Sequence, residues 1–430
     1  MAKNTNINWR KKMIYQVFPR QHSKTRDFMG VIRDLPRIKK LGTDIIYLLP
    51  IHPIGEVSRK GAVGSPYSIS DYYKTHEEYG TIEDFKKLVE EAHKKDMLVM
   101  IDIVINHTSR DSLLTKNHPD WFYRTESGEL KNRVGDWSDI TDLDFSKREV
   151  WDYLINVLVY WAKIVDGFRC DVAPLVPLDF WREAKQAVSV VNPNLFWLTE
   201  SVHPGFIKYI RDLGFDAHSD SEMYQVFDAC YDYDIDEYYR AFVEGKGSLE
   251  KWLSEVERQE VTYPKNYIKA RNLENHDQER VASYFNDVHK ILNITALNFF
   301  FRGMPFIYAG QEFLNTKRPS LFEYDPINYQ TGFDISAIIR RLKEIHEDDL
   351  ITKGNMFFLE KKEAAVIKYE DKNNAIIGYF DLGSKTKINA HLKDGIYKNM
   401  INNNMVKVEK GKIKFQKDPI IIKVGKELLR

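Results

Sequence analysis

Two opposite charges interrupt an otherwise apolar, strand-like run at residues 167–173, GFRCDVA. Successive side chains of a strand point to opposite faces, so Arg169 and Asp171 share one face. A buried charge without a partner is costly, so the pair is either an internal ion pair or the floor of a functional site. This stretch by itself leaves both interpretations open.

Polar residues also follow the other strand-like runs of the chain. The segments DIVINH, LTES and ENHD provide Asp102, Asn106, His107, Glu200, His276 and Asp277. Any one of them fits a structural role, as a helix cap, a turn residue or a buried core histidine. Packing does not require three carboxylates at the ends of three different strands, beside an arginine and two histidines. The set as a whole therefore favours a catalytic site.

This combination of side chains suits glycoside cleavage. One carboxylate attacks the sugar or activates water, and one carboxylic acid protonates the leaving oxygen. A neighbouring carboxylate helps to raise the pKa of the acid, and an arginine beside the nucleophile keeps that group ionised. The histidines would hold sugar hydroxyls.

The elements that must position these residues follow a regular alternation. Strand-like and helix-like runs alternate over about 350 residues, with strands predicted at 13–19, 43–50, 98–106, 167–173, 195–200, 216–224, 267–275 and 304–310. Eight such units indicate a (β/α)8 barrel, whose active site lies at the carboxyl ends of the strands. The alternative is an open doubly wound sheet, and the chain has no GxGxxG or Walker motif typical of that fold.

Two of the helices have predicted caps. The segment 81–95 opens with Thr81 and early acids and then places apolar residues on one stripe. The segment 146–163 opens with Ser146, and Glu149 follows three residues later, which predicts a capping box.

Two breaks in the alternation predict the domain organisation. A polar, Gly- and Trp-containing segment at 108–145 is far longer than a barrel loop. After about residue 350 short strand runs separated by turns predict an antiparallel module. We predict a catalytic barrel (domain A) at 1–107 and 146–350, a small inserted domain B at 108–145, and a C-terminal β-sandwich (domain C) at 351–430.

Composition limits the partners. The 430 residues include 63 Lys+Arg and 63 Asp+Glu, a balance that predicts no nucleic-acid partner. Aromatic residues make up 13%, and exposed aromatic faces suit sugar rings. The only cysteines, Cys170 and Cys230, are expected to be free and buried. No apolar run reaches the length of a membrane span and no signal-peptide core opens the chain, so we expect a cytoplasmic monomer or homodimer.

The chain resembles the α-amylase family, glycoside hydrolase family 13. DIVINH, GFRCDVA, LTES and ENHD resemble the four short motifs of that family, in the family's order. TDLDF (141–145) resembles the motif that closes its domain B, and residues 65–81 resemble its segment after the second strand. The resemblance covers the barrel from about Met13 to Glu312.

The resemblance implies roles for individual residues. Asp171 matches the nucleophile, Glu200 the general acid/base, and Asp277 the third carboxylate that grips the distorted sugar. The substrate-binding matches are Tyr67, which stacks under the sugar, the hydroxyl-binding histidines His107 and His276, and Arg169 beside the nucleophile. The family retains the anomeric configuration, so the two reacting carboxyl groups should lie about 5–5.5 Å apart.

Some positions depart from the family pattern. Many α-amylases have Lys and His three and four residues after the nucleophile, where this chain has Pro174 and Leu175. The family's histidine binds calcium through its carbonyl, which Leu175 retains. Asn106 matches another calcium ligand, and hard cations need several oxygens. We predict that no cofactor is required, with Asn106 as the only calcium candidate.

The resemblance implies retaining hydrolysis of mainly α-1,4 glucosidic bonds in glucans or maltooligosaccharides, through a covalent glycosyl-enzyme. Alternatives within the family are an α-glucosidase, a neopullulanase-like enzyme, a transglycosidase and a sugar isomerase. A non-catalytic family relative would typically have a membrane segment and would often lack triad acids, whereas all three acids are present here. A metal-dependent barrel hydrolase would need a His-x-His pair on an early strand, and the first strand has none.

Overall fold

The computed structural model describes residues 4–134, 137–383 and 385–430. Residues 1–3, 135–136 and 384 belong to the predicted domains A, B and C and lie outside the described residues. The chain divides into two compact units. The first is mainly Ile14–Asp234 with Arg318–Asn328, and the second comprises Asn6–Met13, Ile235–Lys317 and Tyr329–Arg430. The predicted domain boundaries stay a prediction.

Eight parallel strands form a closed barrel, which confirms the predicted fold class. The strands of the chain are β1 (Ile14–Val17), β2 (Ile45–Leu48), β3 (Leu98–Ile103), β4 (His107–Ser109), β5 (Ile140–Asp142), β6 (Gly167–Cys170), β7 (Phe196–Thr199), β8 (Ala229–Tyr231), β9 (Lys269–Arg271), β10 (Met304–Tyr308), β11 (Asn355–Glu360), β12 (Ala365–Glu370), β13 (Asn374–Phe380), β14 (Lys387–Asn389), β15 (Gly395–Lys398), β16 (Met405–Glu409), β17 (Lys412–Lys414) and β18 (Ile420–Gly425). The order around the barrel is β1-β10-β9-β8-β7-β6-β3-β2.

Helices alternate with the barrel strands, as a parallel sheet requires. They are α1 (Pro19–His22), α2 (Phe28–Lys40), α3 (Ile82–His93), α4 (Leu113–Asn117), α5 (Arg148–Ala162), α6 (Leu178–Val191), α7 (Pro204–Asp212), α8 (Asp220–Met223), α9 (Asp236–Val243), α10 (Leu249–Thr262), α11 (Val281–Tyr284), α12 (Val288–Phe300), α13 (Ser336–His346) and α14 (Asp349–Lys353). Nearly every residue of the barrel strands is buried, which explains why they read as continuous apolar runs.

The sixth barrel strand lies later in the chain than predicted. Residues 216–224 contain the short helix α8, which begins after a capping box formed by Ser219 and Glu222. The strand is β8, three buried residues between acidic neighbours. The prediction was wrong because so short an apolar run carries almost no periodic signal, and the box of acids and serine marks a helix start.

One of the two predicted helix caps is present. Thr81 accepts from the Asp84 amide, and the Asp84 side chain bonds the Thr81 backbone in return. The predicted box at Ser146 and Glu149 is wrong, since α5 begins at Arg148 and Lys147 precedes it without a side-chain cap. The Ser146 amide instead donates to Asp144 Oδ1 at 3.0 Å, so an aspartate turn occupies the position where the cap was expected.

The insertion after the third barrel strand is joined to the barrel by a small ribbon. Strands β4 and β5 pair antiparallel, with His107 opposite Asp142. The Tyr72 hydroxyl donates to the His107 carbonyl at 3.0 Å. His107 therefore lies at the base of the insertion, four residues beyond β3, rather than on the barrel strand.

The C-terminal residues form two four-stranded antiparallel sheets, ordered β11-β12-β13-β18 and β14-β17-β16-β15. Alternate residues of both sheets share one apolar core, to which Val366, Ile377 and Ile422 contribute from the first sheet and Val408 and Ile413 from the second. This arrangement confirms the predicted antiparallel sandwich.

Cys170 and Cys230 are buried and form no disulfide, as predicted. Across the described part of the chain, every helix is too short or too polar to cross a membrane.

Candidate active site

The hydrogen-bond ladder of the barrel brings two acids to neighbouring strand ends. Asp102 on β3 is the register partner of Arg169 on β6. Beyond these strands, the Asp171 amide donates to the Ile103 carbonyl at 3.0 Å, and the Glu200 amide donates to the Cys170 carbonyl at 3.0 Å. Asp171 and Glu200 therefore start where β6 and β7 end, at the carboxyl edge of the sheet.

A single buried arginine contacts three carboxylates there. Arg169 Nη1 donates to both Asp102 oxygens at 2.7 and 2.8 Å, and to Asp171 Oδ1 at 2.9 Å. Its Nη2 lies 2.9 Å from Glu200 Oε1 in an ion pair. The Arg169–Asp171 pair is thus a buried ion pair within a larger acidic cluster. One guanidinium holds both carboxyl groups that the sequence assigned to the reaction.

Tyrosines complete the environment of Asp102. Tyr47 and Tyr67 donate from their hydroxyls to Asp102 Oδ2 at 2.5 and 2.9 Å. The Arg169 guanidinium lies over the rings of Tyr67 and Tyr231, with its carbon 5.7 and 5.4 Å from the two ring centres. Asp102 is saturated by donors, so it fixes Arg169 instead of offering a free carboxylate.

The residue after Asp171 has an unusual backbone conformation. Val172 adopts left-handed angles, φ 34° and ψ 38°, which are rare for a β-branched residue. Its amide donates to Glu200 Oε2 at 2.9 Å. Such strain persists only when its surroundings enforce it, and it typically occurs at functional positions. Here it directs a backbone donor at Glu200.

The acids exceed the positive charge that Arg169 supplies. Burial, followed by the neighbouring Glu200 carboxylate, raises the pKa of Asp171 well above its usual range, while Arg169 acts in the opposite direction. Neighbouring carboxyl groups titrate together, and their mutual repulsion favours a shared proton. The assignment of a proton to Glu200 stays a prediction.

His107 lies beside the acids in its neutral form. Its Nε2 is 3.9 Å from Asp171 Oδ2. Burial lowers the His107 pKa to about 4, so the ring carries no charge at neutral pH. Asn106 Nδ2 lies 3.2 Å from His107 Nδ1, and an amide nitrogen can only donate. This contact favours the tautomer with the ring proton on Nε2, the nitrogen 3.9 Å from Asp171, and the ring also hydrogen-bonds the Tyr67 backbone.

His276 and Asp277 follow β9 in the second compact unit. His276 Nε2 is 3.0 Å from Asp277 Oδ2, and the histidine is buried while the aspartate side chain is 44% exposed. The Asp277 amide donates to Asn275 Oδ1 at 2.9 Å, which forms a local turn. Asp277 therefore lies in a turn, as expected of a structural residue, and its carboxylate is also accessible to solvent. Its role as the third acid stays a prediction.

Some residues of this site were not assigned from the sequence. Asp102 was noted only as a strand-end acid, although its position opposite Arg169 in DIVINH was a usable signal. Val172 gave no signal, because backbone angles are not visible in residue types. Trp137, whose ring centre is 5.8 Å from that of His107, lies in the insertion and is brought there only by the fold.

A family model described as the alpha amylase catalytic domain matches residues 16–366, most of the chain. The chain belongs to the α-amylase family. A second model, the bacterial alpha amylase C-terminal domain, matches residues 358–422. The family assignment agrees with the barrel, the acidic cluster at its strand ends and the C-terminal sandwich.

Solved structures with similar sequences share the whole fold of this family member. An alpha-amylase from Lactobacillus plantarum is 43% identical over 97% of this chain and 100% of its own, with a TM-score of 0.94. A noncanonic maltogenic alpha-amylase, AmyB from Thermotoga neapolitana, is 33% identical over 97% and 99% of the two chains, with a TM-score of 0.86.

Curated relatives are more distant and longer. Alpha-amylase MalA from Haloarcula japonica is 29% identical over 70% of this chain and 44% of its own length. An alpha-1,4-glucan:maltose-1-phosphate maltosyltransferase from Picrophilus torridus is 24% identical over 84% and 58%. The chain thus spans about half the length of these relatives.

Proposed function

We propose that the protein hydrolyses α-1,4 glucosidic bonds of maltooligosaccharides with retention of anomeric configuration. The observation that carries this proposal is the bridging of the Asp171 and Glu200 carboxyl groups by one buried guanidinium. A shared arginine keeps the two acids close and unequal in environment, as a retaining glycosidase needs. Membership of the α-amylase family supports the same reaction.

The reaction uses the two acids in turn. Glu200 gives its proton to the glycosidic oxygen while an Asp171 oxygen bonds to the anomeric carbon and the glycosidic bond breaks. Water then loses a proton to Glu200 and attacks the same carbon, which releases Asp171 as a carboxylate and restores the acid. Two inversions at one carbon give net retention.

Other residues are proposed to hold the sugar. His107 has its ring proton on Nε2, so it can donate to a hydroxyl oxygen of the sugar next to Asp171. Tyr67 lies beside Arg169 with its hydroxyl on Asp102, and we assign its ring to stacking. Asp277 and His276 are assigned as the third carboxylate and the second hydroxyl donor on the family resemblance.

The nature of the acceptor is the main alternative within the family. Some curated relatives are named as maltosyltransferases and one as a trehalose-6-phosphate hydrolase. The two solved relatives described above, 43% and 33% identical, are named as alpha-amylases, which favours water as the acceptor. We retain the expected cytoplasmic location and a monomer or homodimer as proposals.

Trapping the covalent intermediate tests the mechanism. A 5-fluoro-α-glucosyl fluoride should add one fluoroglucosyl unit, and peptide mass spectrometry should locate it on Asp171. The Asp171→Asn variant should take up no label. Labelling of another residue would contradict the nucleophile assignment, and absence of any label with an active preparation would contradict the covalent mechanism.

Product analysis tests the substrate and the acceptor. Maltoheptaose should yield shorter maltooligosaccharides whose new reducing ends are initially α by proton NMR. Addition of maltose-1-phosphate should not change the products. Elongated chains, or cleavage confined to trehalose-6-phosphate, would replace the hydrolytic proposal by one of the alternatives.

A further inference from the structure

A buried arginine of the insertion is surrounded by oxygens from separate parts of the chain. The Arg133 side chain is only 6% exposed. Its Nε donates to Asp142 Oδ2 at 3.1 Å, its Nη1 donates to the Leu175 carbonyl at 3.1 Å, and its Nη2 donates to Asn106 Oδ1. The guanidinium carbon also lies 5.2 Å from the centre of the Tyr123 ring.

These oxygens come from three elements around the active site. Asn106 follows β3, Asp142 ends β5 in the insertion, and Leu175 lies in the turn after β6. Their convergence on one guanidinium fastens the insertion to two barrel strand ends. The Arg133 amide adds a further bond to Asp142 Oδ2 at 2.9 Å.

Two of these oxygens are ones that the sequence connected with calcium. Asn106 and the Leu175 carbonyl were the family-matched ligands, and both already accept from Arg133. Calcium takes six to eight oxygens, and across the described residues there is no group of three His, Cys, Asp or Glu side chains arranged for a metal. A fixed positive charge at these oxygens also repels a divalent cation. The residues present therefore do not fit calcium.

We propose that the Arg133 guanidinium is the resident cation of this position and excludes calcium, and that Arg133 is a positioning residue for His107. The contact with Arg133 orients the Asn106 amide so that its nitrogen faces His107 Nδ1. That orientation keeps the His107 proton on Nε2, toward Asp171. Arg133 thus acts on the site through Asn106, without touching the reacting acids.

The melting temperature of the wild-type protein tests the cation claim without any assay of activity. Anything that binds the folded state alone raises the melting temperature. We expect the same value after dialysis against EDTA and in millimolar calcium. A rise of several degrees in calcium, or a fall in EDTA, would overturn the proposal, whatever the substrate of the enzyme proves to be.

Variants of Arg133 test the positioning claim, which rests on the proposed function. For Arg133→Ala we expect kcat/KM on maltoheptaose to fall about 10–100-fold, as for other residues that orient a functional histidine. Millimolar guanidinium should restore part of the loss, because it supplies the missing fork of donors, whereas sodium chloride should not. Arg133→Lys should remain impaired, since an ammonium cannot reach three acceptors at once.

A matched control is Arg124→Ala. Arg124 belongs to the same insertion but is exposed, and its guanidinium donates to the Pro119 and Gly128 carbonyls. It should keep wild-type kinetics. Unchanged kcat/KM in Arg133→Ala, or a loss that guanidinium does not relieve in a folded variant, would refute the positioning role. If the wild type cleaves no glucan at all, the proposed function fails while the melting comparison still decides the cation claim.

Discussion

Two buried arginines of this protein differ in how many carboxylates they contact. Arg169 contacts the carboxylates of Asp102, Asp171 and Glu200. Arg280, in the second compact unit, forms an ion pair with Glu274 at 2.6 Å and donates its remaining bonds to the Ala309 and Lys317 carbonyls. Arg169 contacts three acids directly, whereas Arg280 forms one direct ion pair and otherwise donates to backbone carbonyls, with the buried Glu312 as a further charge neighbour.

The comparison shows which feature separates a reactive ion cluster from a structural one. Burial raises the pKa of both Asp171 and Glu274, so a raised pKa alone does not discriminate. Glu274 contacts Arg280 with one oxygen, and its second oxygen accepts from the Val281 amide at 2.7 Å. Around Arg169 one guanidinium faces three carboxylates, and burial together with the Glu200 carboxylate raises the pKa of Asp171.

The largest expected effect comes from removing the nucleophile. Asp171→Asn should lower kcat on maltoheptaose by roughly 10⁴-fold or more, since no other group can form the covalent bond. Because the change removes one of the surplus acids, the melting temperature should not fall. Kinetics together with thermal unfolding measure both.

The matched control is Asp179→Asn, an exposed aspartate paired with Arg182. It should keep both activity and stability. A marked loss of stability in Asp171→Asn would mean that the cluster around Arg169 is structural in the same sense as the pair at Arg280.

The second effect separates the acid from the nucleophile. Glu200→Gln should lower turnover of maltoheptaose by about 10²–10⁴-fold, the usual contribution of general acid catalysis. Turnover of α-glucosyl fluoride should fall far less, because fluoride leaves without protonation. Equal losses on both substrates would remove Glu200 from the acid role.

Breaking the Glu274–Arg280 ion pair should lower the stability of the folded protein. Glu274→Gln removes the ion-pair partner of the buried Arg280 guanidinium, which we expect to cost about 3–5 kcal/mol of unfolding free energy. Urea titration measures the change. Glu257→Gln, which breaks an exposed pair with Lys361, should cost less than about 1 kcal/mol. If Glu274→Gln cost as little as Glu257→Gln, the Arg280 ion pair would not be the structural counterpart of the Arg169 cluster.

The pH dependence of stability should show that His107 does not balance the acids. Its pKa of about 4 in the folded protein lies below the ordinary value of 6.5. Between these values the unfolded chain binds a proton that the folded protein does not, so stability rises with pH. His107→Gln should reduce that slope by up to about 1.4 kcal/mol per pH unit. An unchanged slope would indicate a charged His107 that offsets the acid surplus.

Residue types and order predicted most of the barrel, because continuous apolar runs report strands covered on both faces. The prediction failed at the sixth strand, where three residues are too few to show a period. It also failed at the predicted capping box of Ser146 and Glu149. The Ser146 amide, which Glu149 should have bonded, donates to Asp144 instead. Local competition of this kind is decided by geometry that residue types do not encode.

The sequence by itself determined the class of chemistry. Asp171, Glu200 and Asp277 could be picked out since acids at strand ends are costly unless they serve a purpose, and the spacing Arg-x-Asp places the first acid beside its cation. Only the tertiary structure decided which of these acids contact the same arginine. Asp102 contacts Arg169 and Arg133 contacts the Leu175 carbonyl, 67 and 42 positions away along the chain, so their roles depend on which strand ends and loops the fold brings together.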